Sequence, residues 1–406
     1  MSLIPVSEAL ERILDGINVH GGEMVPLIDA LERISANDIQ ARRTQPPFEA
    51  SAMDGYAVCS SDFPDGADLP ISLRLVGESA AGHPFGGKMG AGETVRIFTG
   101  AIVPEGANAI LIQENADAQG AKILARELVA AGRYIRKRGL DFSKGDTLIE
   151  RGTKLRPRHL SLAAAMNHAE VNVVARPRVG ILATGDELVP PGQEPGPGQI
   201  ISSNNIGLQG FVDRLGGTAI DLGIAADTEQ SLAASIEAAQ SANLDILVTI
   251  GGASVGDHDL VLGALESGGM ELGFWKIAMR PGKPLMFGQM GSMRVLGLPG
   301  NPVSAMVCAE IFLRPLIHTM LGRSAERIEE TAILEKDLPE NDQRQDYLRA
   351  RITGTKDGLD IVTAFTRQDS SMLGNLARAD CLILRPPFCP ATEAGDRVKI
   401  LRLDDT

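Results

Sequence analysis

Residues Leu244–Asp259 read L-D-I-L-V-T-I-G-G-A-S-V-G-D-H-D. The apolar run Ile246, Leu247, Val248 and Ile250 has the length of a fully buried strand. It stops at Gly251–Gly252, passes small residues and Gly256, and reaches the carboxylates Asp257 and Asp259. A helix-length apolar pattern follows at Leu260, Val261, Leu262 and Leu265. A buried strand that breaks into a glycine loop ahead of a helix marks the ligand edge of an open α/β sheet. The glycines let a ligand approach the backbone, and free N–H groups at the next helix attract anions.

The flanking sequence repeats this alternation. A strand is expected at Val179–Ala183, a Pro/Gly-rich loop at Pro190–Gly198, a helix at Ile206–Leu215 and a strand at Ala219–Ile224. A helix at Glu229–Ala239, strands near Phe274–Ala278 and at Arg294–Leu298, and an apolar helix from Val303 to about Leu321 complete the series. Such alternation predicts a doubly wound parallel sheet covered on both faces. Upstream, Ser7–Ile17 reads as an amphipathic helix with Ser7 as N-cap, and Asp29 with Glu32 resembles a capping pair. Arg42–Asn115, with β-type runs at Ile71–Val76, Thr94–Phe98 and Ala109–Gln113, reads as a small β domain; Pro157–His168 returns to helix. After Arg323 only short β candidates remain, at Ala332–Leu334, Tyr347–Ile352, Leu359–Val362, Cys381–Leu384 and Val398–Leu401. The expected fold is multidomain α/β. Residues 177–326 form the central sheet domain, 1–41 with 142–176 a discontinuous helical region, 42–141 an inserted β domain, and 327–406 a small all-β domain.

A formal charge of −13 over 406 residues argues against a nucleic-acid footprint. Four scattered cysteines (Cys59, Cys308, Cys381, Cys389) form no C-x-x-C pair, which fits a reduced, cytoplasmic setting. The start M-S-L-I-P-V-S-E-A-L lacks a signal-peptide pattern, and no apolar run is expected to span a membrane.

Four loops at strand ends carry unusual residues: Asp186 and Glu187 in T-G-D-E-L, Asp227 in A-A-D-T, Ser254 with Asp257 and Asp259, and Asn301 in L-P-G-N-P-V-S, where Asn301 is a natural cap and Pro302 starts a helix. Carboxylates from three loops on one edge suit Mg²⁺, which takes one or two carboxylates plus substrate phosphate. The alternative is that each caps the helix after it. In R-P-G-K-P, Arg280 and Lys283 sit three apart in a stiff loop and suit a tetrahedral oxyanion. The alternative is a solvated basic loop. G-A-S-V-G matches a nucleophile elbow, but only His258 and His318 lie downstream of Ser254 and neither suits the required order. No lysine follows Gly256, so this is no P-loop, and no G-x-G-x-x-G follows a strand.

Six motifs then occur in order: S-A-M-D-G-Y-A (Ser51–Ala57), T-G-A-x-V-P-x-G (Thr99–Gly106), T-G-D-E-L (Thr184–Leu188), G-G-x-S-V-G (Gly251–Gly256), P-G-K-P (Pro281–Pro284) and G-L-P-G-N-P-V-S (Gly297–Ser304). In this the chain resembles, over essentially its whole length, the MoeA family of molybdopterin molybdenumtransferases, relatives of the gephyrin C-terminal domain. The resemblance implies insertion of molybdate into adenylylated molybdopterin with Mg²⁺ assistance and release of AMP. It implies a homodimer in which one subunit's β domain faces the other's pterin-binding domain. By that implication Asp54 and Thr99 face the partner's pterin domain, and Asp141, after R-K-R-G, matches a family acidic position. Glu187, Asp227 and Asp259 handle metal and phosphate. Gly251, Gly252, Ser254, Asn301 and Ser304 hold the pterin nucleotide, and Arg280 and Lys283 meet molybdate. Arg280 stands where many relatives carry lysine, exchanging a point charge for a planar fork. Arg349 and one of Ser370 or Ser371 are added from the C-terminal domain. No residue forms a covalent intermediate, so Ser254→Ala is expected to retain substantial activity. Two rivals share these features: a molybdopterin adenylyltransferase, which also stands as a partner together with molybdoenzyme acceptors, and a non-catalytic pterin-binding scaffold.

Overall fold

A computed structural model describes residues 3–252 and 260–403, so the expected roles of Ser254, Asp257 and Asp259 fall on residues outside those described. The chain forms two compact units, one of Met1–Glu23 with Val174–Thr406 and one of Met24–Val173. The expected helical segment 1–41 is thus divided between them.

The first unit is built on β1 (Arg178–Thr184), α1 (Asn204–Leu215), β2 (Thr218–Ala225), α2 (Glu229–Ser241), β3 (Ile246–Ile250), α3 (Leu260–Ser267), β4 (Glu271–Trp275), β5 (Met286–Met290), β6 (Met293–Leu298) and α4 (Pro302–Met320). Among the described residues the sheet has six strands in the order β2–β1–β3–β6–β5–β4. The first four are parallel, with Ile181 opposite Val248 and Val248 opposite Leu296. Every residue of β3 is buried, as strands covered on both faces require. Leu182, Leu247 and Val295 face Leu232, Ile236, Val261 and Leu265 of α2 and α3. The alternating residues Ile181, Val248 and Leu296 are buried on the opposite face. Local signals place the helices: Thr228 accepts from the Ser231 N–H at 3.2 Å to cap α2, and Gly216 at φ 94° closes α1.

The sheet is mixed rather than wholly parallel. β5 and β6 form a hairpin turning at Gly291 (φ 61°), and β4 pairs antiparallel with β5. A two-residue turn suffices for antiparallel neighbours, so no crossover helix intervenes to announce β5 in the sequence.

Helix α4 also departs from expectation. It is 19 residues long and apolar enough to cross a membrane, yet 89% of its apolar window is buried within the protein, so it is a core helix. Its middle, Ala309–Leu313, is π-helical just ahead of Pro315, whose ring lacks an N–H and crowds the preceding turn. At the N-terminus the first helix spans Val6–Leu14 and starts from Pro5, not Ser7, with no side-chain cap; extended Pro5 (ψ 152°) already fixes the chain's entry.

The C-terminal strands are Glu330–Leu334, Gln345–Lys356, Leu359–Ala364, Cys381–Arg385 and Arg397–Arg402. They close into a small barrel because Gln345–Lys356 pairs with both Leu359–Ala364 and Cys381–Arg385. Met279–Arg280 adds to it in parallel, opposite Gln345 and Asp346.

The second unit carries a six-stranded sheet among its described residues: Ala109–Ile112, Gly55–Val58, Glu93–Ile97, Ile71–Ser79, Lys122–Ala125 and Ala116–Gln119 in spatial order. The expected capping pair Asp29/Glu32 starts no α-helix. Leu27–Ala30 is a single 3₁₀ turn, and Glu32 at φ 63° leaves helical space and pairs with Lys154 at 2.5 Å.

Candidate active site

The parallel strands β1, β2, β3 and β6 bring their C-terminal ends to one edge of the sheet. The chain leaves those ends as Gly185–Glu187, Ala226–Thr228, Gly251–Gly252 and Pro299–Asn301. Here a cleft of about 620 Å³ opens, lined by Thr184, Glu187, Asn204, Gly251, Asn301 and Ser371 among others. Gly252 and Pro284 also line it. Gly251 and Gly252 have φ of +96° and +64°. A Cβ on Gly251 would lie 2.6 Å from the Thr184 carbonyl oxygen, and one on Gly252 2.2 Å from a Val261 methyl. Both the backbone and the space therefore demand glycine.

Asn301 holds the N-cap position of α4, with Pro302 in the first turn, but its side chain caps nothing. Its Nδ2 instead donates to Ser370 Oγ at 3.0 Å, and the Val303 N–H donates to the Ser370 carbonyl at 3.0 Å. Ser370 thus braces the loop, while Ser371 lines the cleft. Asp369 Oδ1 accepts from the Ser371 N–H at 2.8 Å and from its Oγ at 2.6 Å. Ser304 is buried in the first turn of α4.

Glu187 lines the cleft, and the carboxylates of Asp186 and Glu187 lie near that of Asp227. The Asp227 N–H donates to Asp186 Oδ1 at 3.1 Å. Partial burial, then repulsion from Asp186 and Glu187, holds the Asp227 carboxyl above its ordinary range. Thr228, the next residue, supplies the cap of α2, so Asp227 is not the capping residue there. Among the described residues no three His, Cys, Asp or Glu side chains are grouped so as to hold a metal ion.

The cations are disposed unequally. Arg280 is paired with Asp346 and approaches Asp342 at 3.6 Å. Lys283 is exposed and has no side-chain partner among the described residues. Arg349 is 1% exposed; its Nη2 donates to the Asp369 carbonyl at 3.2 Å while its Nε is buried without a partner among the described residues. Burial pushes the Arg349 guanidinium down to about 10.

Within the second unit, Asp54 and Thr99 meet: Asp54 Oδ1 accepts from the Thr99 N–H at 2.7 Å and from its Oγ1 at 2.8 Å. These bonds, the backbone one foremost, hold the Asp54 carboxyl below its usual range. Asp141 is exposed, tied by its N–H to the Gln45 carbonyl at 3.0 Å.

Sequence reasoning missed several contributors. Asn204 Nδ2 donates to the Gly300 carbonyl at 2.8 Å, fixing the loop before α4. Ser202 Oγ bonds Asn205 Oδ1 at 3.2 Å beneath the cleft. The polar run S-S-N-N (Ser202–Asn205) that opens α1 was the signal available for these. Arg96, beside Asp54, gave none: it stacks 5.0 Å from both the Tyr56 and Phe98 rings.

A doubly wound sheet with a glycine-walled cleft at its C-terminal strand ends defines an α/β protein of the kind that binds a small molecule at that edge. Comparison with known proteins narrows the class. Three family descriptions match in succession: the MoeA N-terminal region (domain I and II) over residues 4–167, a probable molybdopterin binding domain over 180–319, and the MoeA C-terminal region (domain IV) over 331–403. The chain is 36% identical to the molybdopterin molybdenumtransferase of Haemophilus influenzae, covering 93% of each chain. It is 34% identical to that of Bacillus subtilis, covering 98% of this chain and 94% of the relative. A molybdopterin biosynthesis MoeA protein from Pyrococcus horikoshii superposes with a TM-score of 0.87 at 31% identity over the whole of both chains. The chain belongs to the MoeA family.

Proposed function

We propose that this protein is a molybdopterin molybdenumtransferase that inserts molybdate into adenylylated molybdopterin and releases AMP. The observation that carries the reading is the cleft itself, lined by the Glu187 carboxylate, with Asp227 close to Glu187, and by Gly251, Gly252 and Asn301. On this reading a cation-dependent phosphate site would lie at Glu187 and the ring system along Gly251, Gly252 and Asn301.

The donor set fits Mg²⁺. Partial burial, then repulsion from Asp186 and Glu187, holds the Asp227 carboxyl above its ordinary range, and a bound cation would relieve the repulsive part. The open arrangement suits an ion that keeps several waters and shares substrate phosphate oxygens. Asp227 and Glu187 would hold it, with Asp259 as the expected third ligand. When bound, Mg²⁺ polarises the phosphoanhydride and offsets the charge of departing AMP.

The chain's own groups do the rest. Asn204 and Asn301 fix the loop that the pterin meets, and Ser371 presents its hydroxyl at the rim. Lys283, unengaged by any described carboxylate, is the cation free to attract the molybdate dianion; Arg280 is already satisfied by Asp346. As the two dithiolene sulfurs bind molybdenum, their S–H protons leave with one oxo ligand as water, with no change of oxidation state and no covalent enzyme intermediate. In a homodimer, the Asp54–Thr99 pair would complete the site of the partner subunit. The setting is cytoplasmic.

The test is AMP release from adenylylated molybdopterin with molybdate and Mg²⁺ added separately and together. Release that requires both supports the reading. Synthesis of the adenylylated pterin from ATP, or binding without either reaction, refutes it in favour of an adenylyltransferase or a scaffold. Asp227→Ala should abolish release while leaving dimerisation intact.

A further inference from the structure

Asp54 stands at the head of the strand Gly55–Val58, which pairs on both sides, with Glu93–Ile97 and with Ala109–Ile112. Gly55 leaves no room for a side chain, because a Cβ there would overlap the Leu111 carbonyl oxygen. The cross-strand partner of Tyr56 is Arg96. Residues opposite each other, and residues two apart on one strand, share a face of the sheet. Tyr56, Arg96 and Phe98 accordingly form one stack, with the guanidinium carbon 5.0 Å from each ring centroid.

An arginine held on rings keeps its plane, and here both prongs are used. Nη1 donates to the Gly55 carbonyl at 3.2 Å and Nη2 to Gln113 Oε1 at 2.7 Å. The Gln113 N–H in turn donates to the Asp54 carbonyl at 3.2 Å. One guanidinium thus ties down the backbone on both sides of the Asp54–Gly55 peptide. Neither prong is spent on the Asp54 carboxylate. That group is held by Thr99, whose N–H and Oγ1 both donate to Oδ1. Oδ2 accepts no hydrogen bond among the described residues and remains an unused acceptor. A carboxylate oxygen repels phosphate and takes N–H or O–H donors.

We propose that Arg96 is a positioning residue for Asp54: its fork fixes the Asp54–Gly55 backbone so that Oδ2 meets an N–H or O–H donor of the substrate. The inference rests on the function proposed above, in which Asp54 and Thr99 complete the site of the partner subunit. Positive charge alone does not fill this role. The two acceptors belong to different residues, and a planar fork lying on the rings reaches both where a point charge does not.

Arg96→Lys and Gln113→Ala separate geometry from charge. Lysine keeps the charge and loses the fork. Gln113→Ala keeps the charge and removes one anchor at an exposed position, where the fold tolerates change. The kcat for AMP release should fall about tenfold or more in Arg96→Lys and about fivefold in Gln113→Ala, as neutral hydrogen bonds are lost, with KM moving less than about twofold. Carboxyl NMR supplies the second readout. The Thr99 bonds hold Asp54 below its usual range, so a loosened turn should let it titrate higher in both variants than in the wild type. Circular dichroism gives the folded fraction, since Trp275 lies in the other unit. Full turnover in Arg96→Lys, a loss confined to KM, a loss no larger than that of folded protein, or an unmoved Asp54 titration overturns the inference. If the wild type releases no AMP, the proposed function fails and the Asp54 titration alone decides whether Arg96 positions it.

Discussion

The glycine at the head of the cleft can be tested against a neighbour that faces the same space. In Gly251→Ala the new methyl would meet the Thr184 carbonyl oxygen at 2.6 Å, a backbone atom of the adjacent strand that has no rotamer to escape into. The residue would also keep φ near +96°. The left-handed conformation costs about 1–2 kcal/mol for an L-residue, and overpacking about 1–3 kcal/mol more, giving a loss of about 2–5 kcal/mol. Gly300→Ala is the control. It lines the same cleft, its φ is not positive, and its Cβ would find the Gly251 Cα at an ordinary 3.7 Å. That change should cost no more than about 0.5 kcal/mol.

Urea unfolding followed by tryptophan fluorescence suits the comparison. Trp275 is the sole tryptophan and lies in β4 of the same sheet, so the signal reports that sheet rather than the second unit. With an m-value near 2 kcal/mol/M, Gly251→Ala should lower the midpoint by about 1–2.5 M and Gly300→Ala by less than about 0.3 M. Equal midpoints for the two variants would refute the argument that the cleft's shape requires glycine at 251 rather than merely tolerating it.

Three further outcomes are expected. Asp227 titrates above its ordinary range, so its neutral form is favoured in the fold: the penalty for ionising it is absent at low pH and grows as pH rises through the folded value. Asp186→Asn should lower that value, seen by carboxyl NMR, and weaken the pH dependence of Mg²⁺ binding; no movement of the Asp227 titration would contradict it. Arg280→Ala leaves Asp346, 2% exposed, without its cation. A fully buried pair would lose 3–5 kcal/mol, but the Arg280 side chain is 44% exposed, so about 1–3 kcal/mol is expected by calorimetry. The molybdate KM should respond more to Lys283→Ala. Finally, burial pushes the Cys381 thiol up to about 12 and Cys308 higher still. Iodoacetamide at pH 8 should therefore label the half-buried Cys59 and Cys389 first in the native protein, and early label on Cys308 would count against the burial assigned to it.

What the sequence made legible follows from how local each signal is. The strand Ile246–Ile250 and its Gly251–Gly252 break are written in adjacent residues, and both stand where the pattern put them. The hairpin strand Met286–Met290 left no such mark, because an antiparallel partner needs only a glycine turn and not a crossover. The same distinction separates the site residues. Glycines reveal their need in a run, since the constraint is on their own backbone. Whether a charged residue is engaged depends on a partner far along the chain. Arg280 and Lys283 are equivalent cations in R-P-G-K-P, yet Arg280 is bound to Asp346, 66 residues on, and Lys283 is not. Asn301 reads as a cap by position but spends its amide on Ser370, 69 residues away. A cap is decided within one turn, whereas the choice between capping and bracing is settled by the turn after Leu359–Ala364 that delivers Ser370. The chemistry of this cleft thus lies less in which polar residues its loops contain than in which of them the C-terminal barrel has already engaged.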